Sequence, residues 1–186
     1  EVAATRATLD DIVFKRGANW TWESDGTAHS VVGLMNNPSR APNNAARIAV
    51  DVHEFVLSRS EELPVPLRAS IAVVRGIARG ERDDQGHLIH HSLNAPGTYL
   101  AEQLGARTPF GRTWVAGGVY RLVRHDFRWS DAPAIALEGA DEHNVPERMQ
   151  VYALLRTLSA EERMVEVADT SGFVGREAEI ADLHAA

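Results

Sequence analysis

The sequence predicts an α/β domain of the α+β sandwich type, with helices packed on a mixed sheet rather than a doubly wound one. Three observations predict it. Short apolar runs that read as strands are interleaved with stretches of helical spacing. Hairpin turns join some of the strands directly. The 186 residues, 44% of them hydrophobic and 24% charged, suffice for one packed domain with a short tail.

The elements follow in order. Thr5 to Lys15 carries Leu9, Ile12 and Val13 at helical spacing, and Gly17 stops it. Trp20 to Glu23 and Thr27 to Leu34 read as strands joined by the turn Ser24-Asp25-Gly26. Asn36 to Pro42 is a loop. Asn43 to Arg59 is the clearest helix, with Ala45, Ile48, Ala49, Val52, Phe55 and Val56 on one stripe and Asn43 or Asn44 as its cap. Leu67 to Val74 is an apolar strand, and Glu81 to Gly86 a charged turn. Leu88 to Leu93 reads as a strand, and Gly97 to Gly105 as a helix entered through Pro96. Arg112 to Val115 is a strand and Gly118 to Val123 a short helix. Phe127 to Trp129 and Met149 to Leu154 read as edge strands. Glu161-Glu162-Arg163 reads as a charged linker face.

Composition narrows the function. A net charge of -7 repels phosphate backbones, so nucleic acid is not expected as a partner. The absence of cysteine excludes disulfides, thiolate zinc sites and cysteine nucleophiles. The lack of cysteine also fits a cytoplasm; no apolar run approaches a membrane span, and no signal-peptide pattern opens the chain. His87, His90 and His91 with Asp83 and Asp84 supply metal-ligand types, but also suit a solvated hairpin. Ser92, Asp51 and His53 lack the Gly-x-Ser-x-Gly elbow of a hydrolase. Trp20 and Trp22, two apart on one strand, share a face that suits either a packed core or a dimer contact.

Several segments, in order, resemble the class III nucleotidyl cyclase homology domain. Ser24-Asp25-Gly26 with Val31-Val32-Gly33 resembles that family's Gly-Asp-Gly hairpin. Ile71-Ala72-Val73-Val74-Arg75-Gly76 resembles its Ile-Gly-x-His-x-Gly strand. Leu93-Asn94 resembles the start of Val-Asn-x-Ala-Ala-Arg. Gly111 to Val115 with Val119 to Val123 resembles Gly-x-Ile-Leu-Val-Ser…Tyr-x-Leu-Val, and Leu137-Glu138-Gly139 before Val151-Tyr152 resembles Leu-Lys-Gly…Val-Tyr. The resemblance spans roughly Ala7 to Leu154. It implies a ferredoxin-like, mainly antiparallel mixed sheet with helices on one face, over residues 1–155. An amino-terminal strand, central in the family, is expected to be missing.

In that family two carboxylates hold two divalent ions, Mg or Mn, at the phosphates of ATP or GTP. An Asn orients the ribose, and cationic side chains neutralise the transition state. The resemblance places Asp25 at one metal carboxylate and Asn94 at the ribose contact. Thr98 stands where an Arg is expected, Thr21 where a base-selecting Lys is expected, His87 at the base-selecting Asp, and Glu138 at the Lys of Leu-Lys-Gly. Losing one preorganised donor costs about 3–4 kcal/mol of transition-state stabilisation. The expectation is therefore a catalytically degenerate regulatory module, working as a homodimer or against adjacent domains. An active cyclase completed by a partner chain and a nucleotide sensor without turnover are the alternatives. Asp25 also suits an ordinary Asp-Gly turn, and Asn94 an ordinary helix cap.

Residues 156–186 read as a linker and the start of another domain. Gly172-Phe173-Val174-Gly175-Arg176-Glu177 resembles the box that opens AAA-like signalling ATPase domains, with Gly175, Arg176 and Glu177 as its core. The combination implies an excised piece of a bacterial multidomain regulator, some of which carry a Ser/Thr kinase.

Overall fold

The computed structural model describes residues 2–35, 37–63 and 66–170. The chain runs α1 (Val2–Lys15), β1 (Trp20–Trp22), β2 (Ala28–Ser30), a 3₁₀ turn (Pro38–Arg40), α2 (Ala41–Glu61), β3 (Ile71–Val73), β4 (Ala78–Arg82) and β5 (Leu88–Leu93). It continues through α3 (Ala95–Arg107), β6 (Thr113–Ala116), α4 (Gly117–Val123), β7 (Phe127–Asp131) and β8 (Ile135–Ala136). Last come α5 (Ala140–His143), β9 (Arg148–Met149), β10 (Val151–Thr157) and α6 (Ala160–Thr170). Among the described residues, no helix is long and apolar enough to cross a membrane.

The main sheet has the order β3-β6-β10-β7. Strand β3 runs parallel to β6, whereas β10 is antiparallel to both β6 and β7. Three further strand pairs, β1-β2, β4-β5 and β8-β9, stand apart as ribbons. Strand β3 pairs on one side only among the described residues, so the central position the resemblance gives to an amino-terminal strand would adjoin an open edge.

Both faces of the sheet are covered. On one, α2 brings Ala46 and Ala49, and α4 brings Val119 and Val123, onto Val73, Val115, Phe127 and Leu154. On the other, α3 brings Tyr99 and Leu104, and α5 brings Ala140, onto Trp114, Val151 and Ala153. The expectation of helices on one face is therefore corrected. Neighbouring residues such as Trp114 and Val115 point to opposite faces and are both apolar and buried, so each face needs its own cover. A third cluster packs α1 (Leu9, Val13) against α2 (Ile48, Val52, Val56) and half-buries Trp20 and Trp22.

Other expectations change in detail. Helix α2 begins at Ala41, with Pro42 in its first turn, and neither Asn43 nor Asn44 caps it. Asn43 Nδ2 donates to Asp126 Oδ2 at 2.8 Å, and Asn44 Nδ2 to the Arg16 carbonyl at 3.2 Å, tying α2 to neighbouring loops. Strand β10 is not an edge strand but lies between β6 and β7, because its backbone pairs with β6 on one side and β7 on the other. The Glu161-Glu162-Arg163 stretch lies in helix α6. Glu162 pairs with Arg156 at 2.6 Å and Arg163 with Asp126 at 3.3 Å, folding α6 back on the domain.

Candidate functional site

Asp25 sits in the tight turn between β1 and β2. Its Oδ1 accepts the Thr27 N–H at 2.8 Å, Gly26 takes φ +90°, and Glu23 N–H closes the turn onto the Thr27 carbonyl at 2.8 Å. The bonds from Thr27 hold the Asp25 carboxyl below its usual range, with a small further contribution from His29. The carboxylate is thus partly consumed by its own turn. His29 Nε2 lies 3.1 Å from Glu23 Oε1, and Thr21 stands opposite His29 with its side chain exposed.

Asn94 occupies the position just before α3, but its side chain does not cap that helix. Its Oδ1 instead accepts the Ile77 N–H at 2.8 Å, while Asn94 N–H donates to the Ile77 carbonyl at 2.9 Å. The two bonds fasten the residue after β5 to the residue just before β4. The backbone carbonyl of Asn94 receives the Thr98 N–H at 3.3 Å, opening α3. Asn94 and Thr98 are therefore brought together, and the Asn94 Nδ2 has no partner among the described residues.

His87 and Glu138 are held elsewhere. His87 lies in the β4-β5 turn, where Asp83 Oδ1 accepts the Gln85 and His87 N–H groups at 3.0 and 2.7 Å and Asp83 Oδ2 stands 3.2 Å from the His87 ring. The turn explains its Asp and His without a metal. Among the described residues, no group of three or more His, Cys, Asp or Glu side chains converges as a metal site. Glu138 is exposed, and its Oε1 accepts from Arg107 at 2.9 Å. Its carbonyl accepts the Tyr99 hydroxyl, whose ring stacks on His143 at 4.1 Å. Arg107 was missed in the sequence. Only the fold brings the end of α3 to residue 138.

The Trp20 and Trp22 face is occupied. Trp20 Nε1 donates to the Leu9 carbonyl at 3.1 Å, and Trp22 Nε1 to Asp10 Oδ1 at 2.8 Å. Arg6 lies over the Trp22 ring at 4.9 Å. These rings pack on α1, which decides for the packed-core reading. Gly175, Arg176 and Glu177 lie outside the described residues.

A two-ion phosphate centre needs convergent carboxylates, and Asp25 alone, engaged in its turn, does not supply one. Among the described residues, no group of three or more such ligands gathers at Asp25, and these residues do not fit such a centre.

The arrangement of strands and helices is that of class III nucleotidyl cyclase domains. Over 84% of this chain it superposes on the guanylate cyclase domain of RhGC from Catenaria anguillulae in complex with GTP, with a TM-score of 0.60, 15% identity and 82% of that chain covered. The adenylyl cyclase CyaB from P. aeruginosa gives 0.61, 14% identity and coverage of 84% and 81%. The dimeric guanylyl cyclase domain of the RhoGC fusion protein from Blastocladiella emersonii gives 0.58, 15% identity and coverage of 84% and 82%. No family model and no curated protein matches the chain. At these identities the likeness defines a fold, and the chain is a cyclase-like domain in that sense.

Proposed function

We propose that this chain is a catalytically degenerate cyclase-like module that regulates and dimerises rather than makes cyclic nucleotide. The observation that carries the reading is the state of the charge-bearing positions. Thr21 and Thr98 stand where cations are expected, Glu138 stands at another and pairs with Arg107, and one oxygen of Asp25 is taken by its own turn. A phosphoryl transition state needs positive charge aimed at it, and these positions offer none.

Dimerisation is supported by the β4-β5 arm. Ile77 (74% exposed), Ile89 (66%) and Leu93 (42%) leave apolar surface on a ribbon that stands apart from the main sheet. Ile89 lies at the bulge of this ribbon, where Glu81 faces His90 and Arg82 faces Leu88, and Leu93 lies at its far end. The domain from Blastocladiella emersonii has been solved both as a non-canonical dimer and as a monomer. The box at Gly172 to Glu177 supports a role in coupling that dimer to an adjoining AAA-like ATPase domain.

Calorimetric titration with ATP and with GTP, each with manganese, tests the proposal. No cyclic product and a dimer abolished by Ile89→Asp are the expected results. Saturable binding without product would favour a nucleotide sensor, through the free Nδ2 of Asn94. Product formation lost in Asp25→Ala would overturn the proposal in favour of an active enzyme.

A further inference from the structure

A cavity of about 650 Å³ opens where β3 and β6 begin, at the opposite end of β3 from Asn94. Its wall on α2 is formed by His53, Glu54 and Leu57, and the facing wall by the segments around Arg68 and Phe110 to Thr113. Its size lies in the range of small-molecule sites.

Two polar atoms in this wall are unsatisfied. Thr113 is 1% exposed, and its Oγ1 makes no hydrogen bond; His53 Nε2 is likewise buried without a partner. Buried polar atoms are normally paired, so this wall is polar where a packed core would be apolar. Burial pushes the His53 imidazole below its ordinary pKa, and its bond to the Arg112 backbone opposes the shift.

The mouth has a different character. Phe110 (76% exposed), Leu57 (67%) and Leu155 (45%) leave apolar surface around the opening, joined by Leu67. Large apolar side chains gathered at one opening are more than the scattered exposure of an ordinary surface. Arg68 and Arg112 line the same cavity and make no ion pair or side-chain hydrogen bond among the described residues, against the single carboxylate of Glu54. On a chain of net charge -7, this lining carries an excess of positive charge.

We infer that this cavity binds a small amphipathic carboxylate, a molecule with an acyl or aryl body and one acid group. The acid would accept from the guanidinium groups of Arg68 and Arg112, on the wall that also holds Thr113 and His53. The body would lie along Leu57, Phe110 and Leu155. The site is separate from the Asn94 end and does not depend on whether nucleotide binds there.

The test titrates the full chain with decanoate below its micelle concentration, following the His53 ring resonances by NMR. Saturable binding that shifts those resonances is expected. Arg68→Gln/Arg112→Gln and Leu57→Ser/Phe110→Ser, all at exposed positions that leave the core intact, should each weaken it at least tenfold. Decanol and acetate should bind at least tenfold more weakly than decanoate. No saturation, equal binding of decanol, or no effect of either double variant overturns the proposal. Binding to anionic phosphatidylglycerol vesicles but not to free decanoate overturns it in favour of a membrane surface. A dimer in decanoate-free protein that Leu57→Ser/Phe110→Ser dissociates, with no decanoate binding, overturns it in favour of a second copy.

Discussion

Gly97 is pressed against Gly76: a Cβ on Gly97 would stand 2.9 Å from the Gly76 Cα and 2.8 Å from Asn94 Oδ1. The first atom is backbone and cannot swing away. The second is held by the Ile77 N–H. Gly97→Ala must therefore move α3 or break the Asn94 bond, and overpacking of this kind costs about 1–3 kcal/mol. Gly76→Ala meets its nearest atoms only at 3.4 and 3.5 Å and should cost less. Urea unfolding of both variants checks the asymmetry. Equal stabilities would mean that the close approach imposes no constraint.

Phe127 ties both helices of one face to the sheet. It is fully buried among residues of α2, α4 and β10, with Arg47 lying 6.0 Å from its ring and the Trp129 ring set edge-on at 6.1 Å. Phe127→Ala is expected to cost about 3–5 kcal/mol, from lost transfer energy and the cavity left behind. Thermal or urea denaturation measures it. A loss below about 1 kcal/mol would contradict the packing described, since even a single buried methylene is worth about 0.8 kcal/mol.

The sequence carried the helices and the hairpins better than the sheet order. The stripe of Ile48, Ala49, Val52 and Val56 is real, but it serves two partners: Ala49 meets the sheet and Ile48, Val52 and Val56 meet α1. Periodicity reports which face is apolar, not what covers it. The placement of β10 between β6 and β7 has no local signal, because it depends on pairing across the chain. Helix α6 did have one. Ser159 and Glu162 stand at capping-box spacing, and they exchange the reciprocal bonds of that motif at 2.9 and 3.1 Å. At the site, the Asp-Gly turn at Asp25 was legible, whereas the Asn94 bond to Ile77 was not. Two strands had to be brought side by side before that bond could exist.

Burial lowers the pKa of His53 from its ordinary 6.5, and the Arg112 carbonyl opposes the shift only in part. A histidine lowered in the folded state takes up its proton more readily when unfolded. Its neutral form therefore supports folding fully above pH 6.5, and that support is lost as pH falls below 6.5 toward the lowered folded value. His53→Gln cannot protonate, so its stability should depend less on pH in that window than the parent's. Denaturant midpoints measured across the window compare the two. Parallel curves would show that His53 does not contribute to the acid sensitivity.

Glu162 is the opposite case. Both its oxygens accept from Arg156, at 2.8 and 2.6 Å, and the Ser159 N–H adds a bond at 2.9 Å, bringing its pKa down from 4.5 to about 2. A carboxyl depressed in the folded state contributes stability that is whole above its unfolded value. That contribution is lost as pH falls from 4.5 toward about 2. The group is half-exposed at the surface, so the effect falls on the docking of α6 rather than on the core, and salt should weaken it. Arg156→Gln removes the largest cause of the shift, and Glu162 should then titrate nearer 4.5. NMR titration of the Glu162 carboxyl in the parent and the variant reads this directly. An unchanged midpoint would place the cause in the capping bond from Ser159 instead, and Ser159→Pro, which deletes that donor, would then shift it.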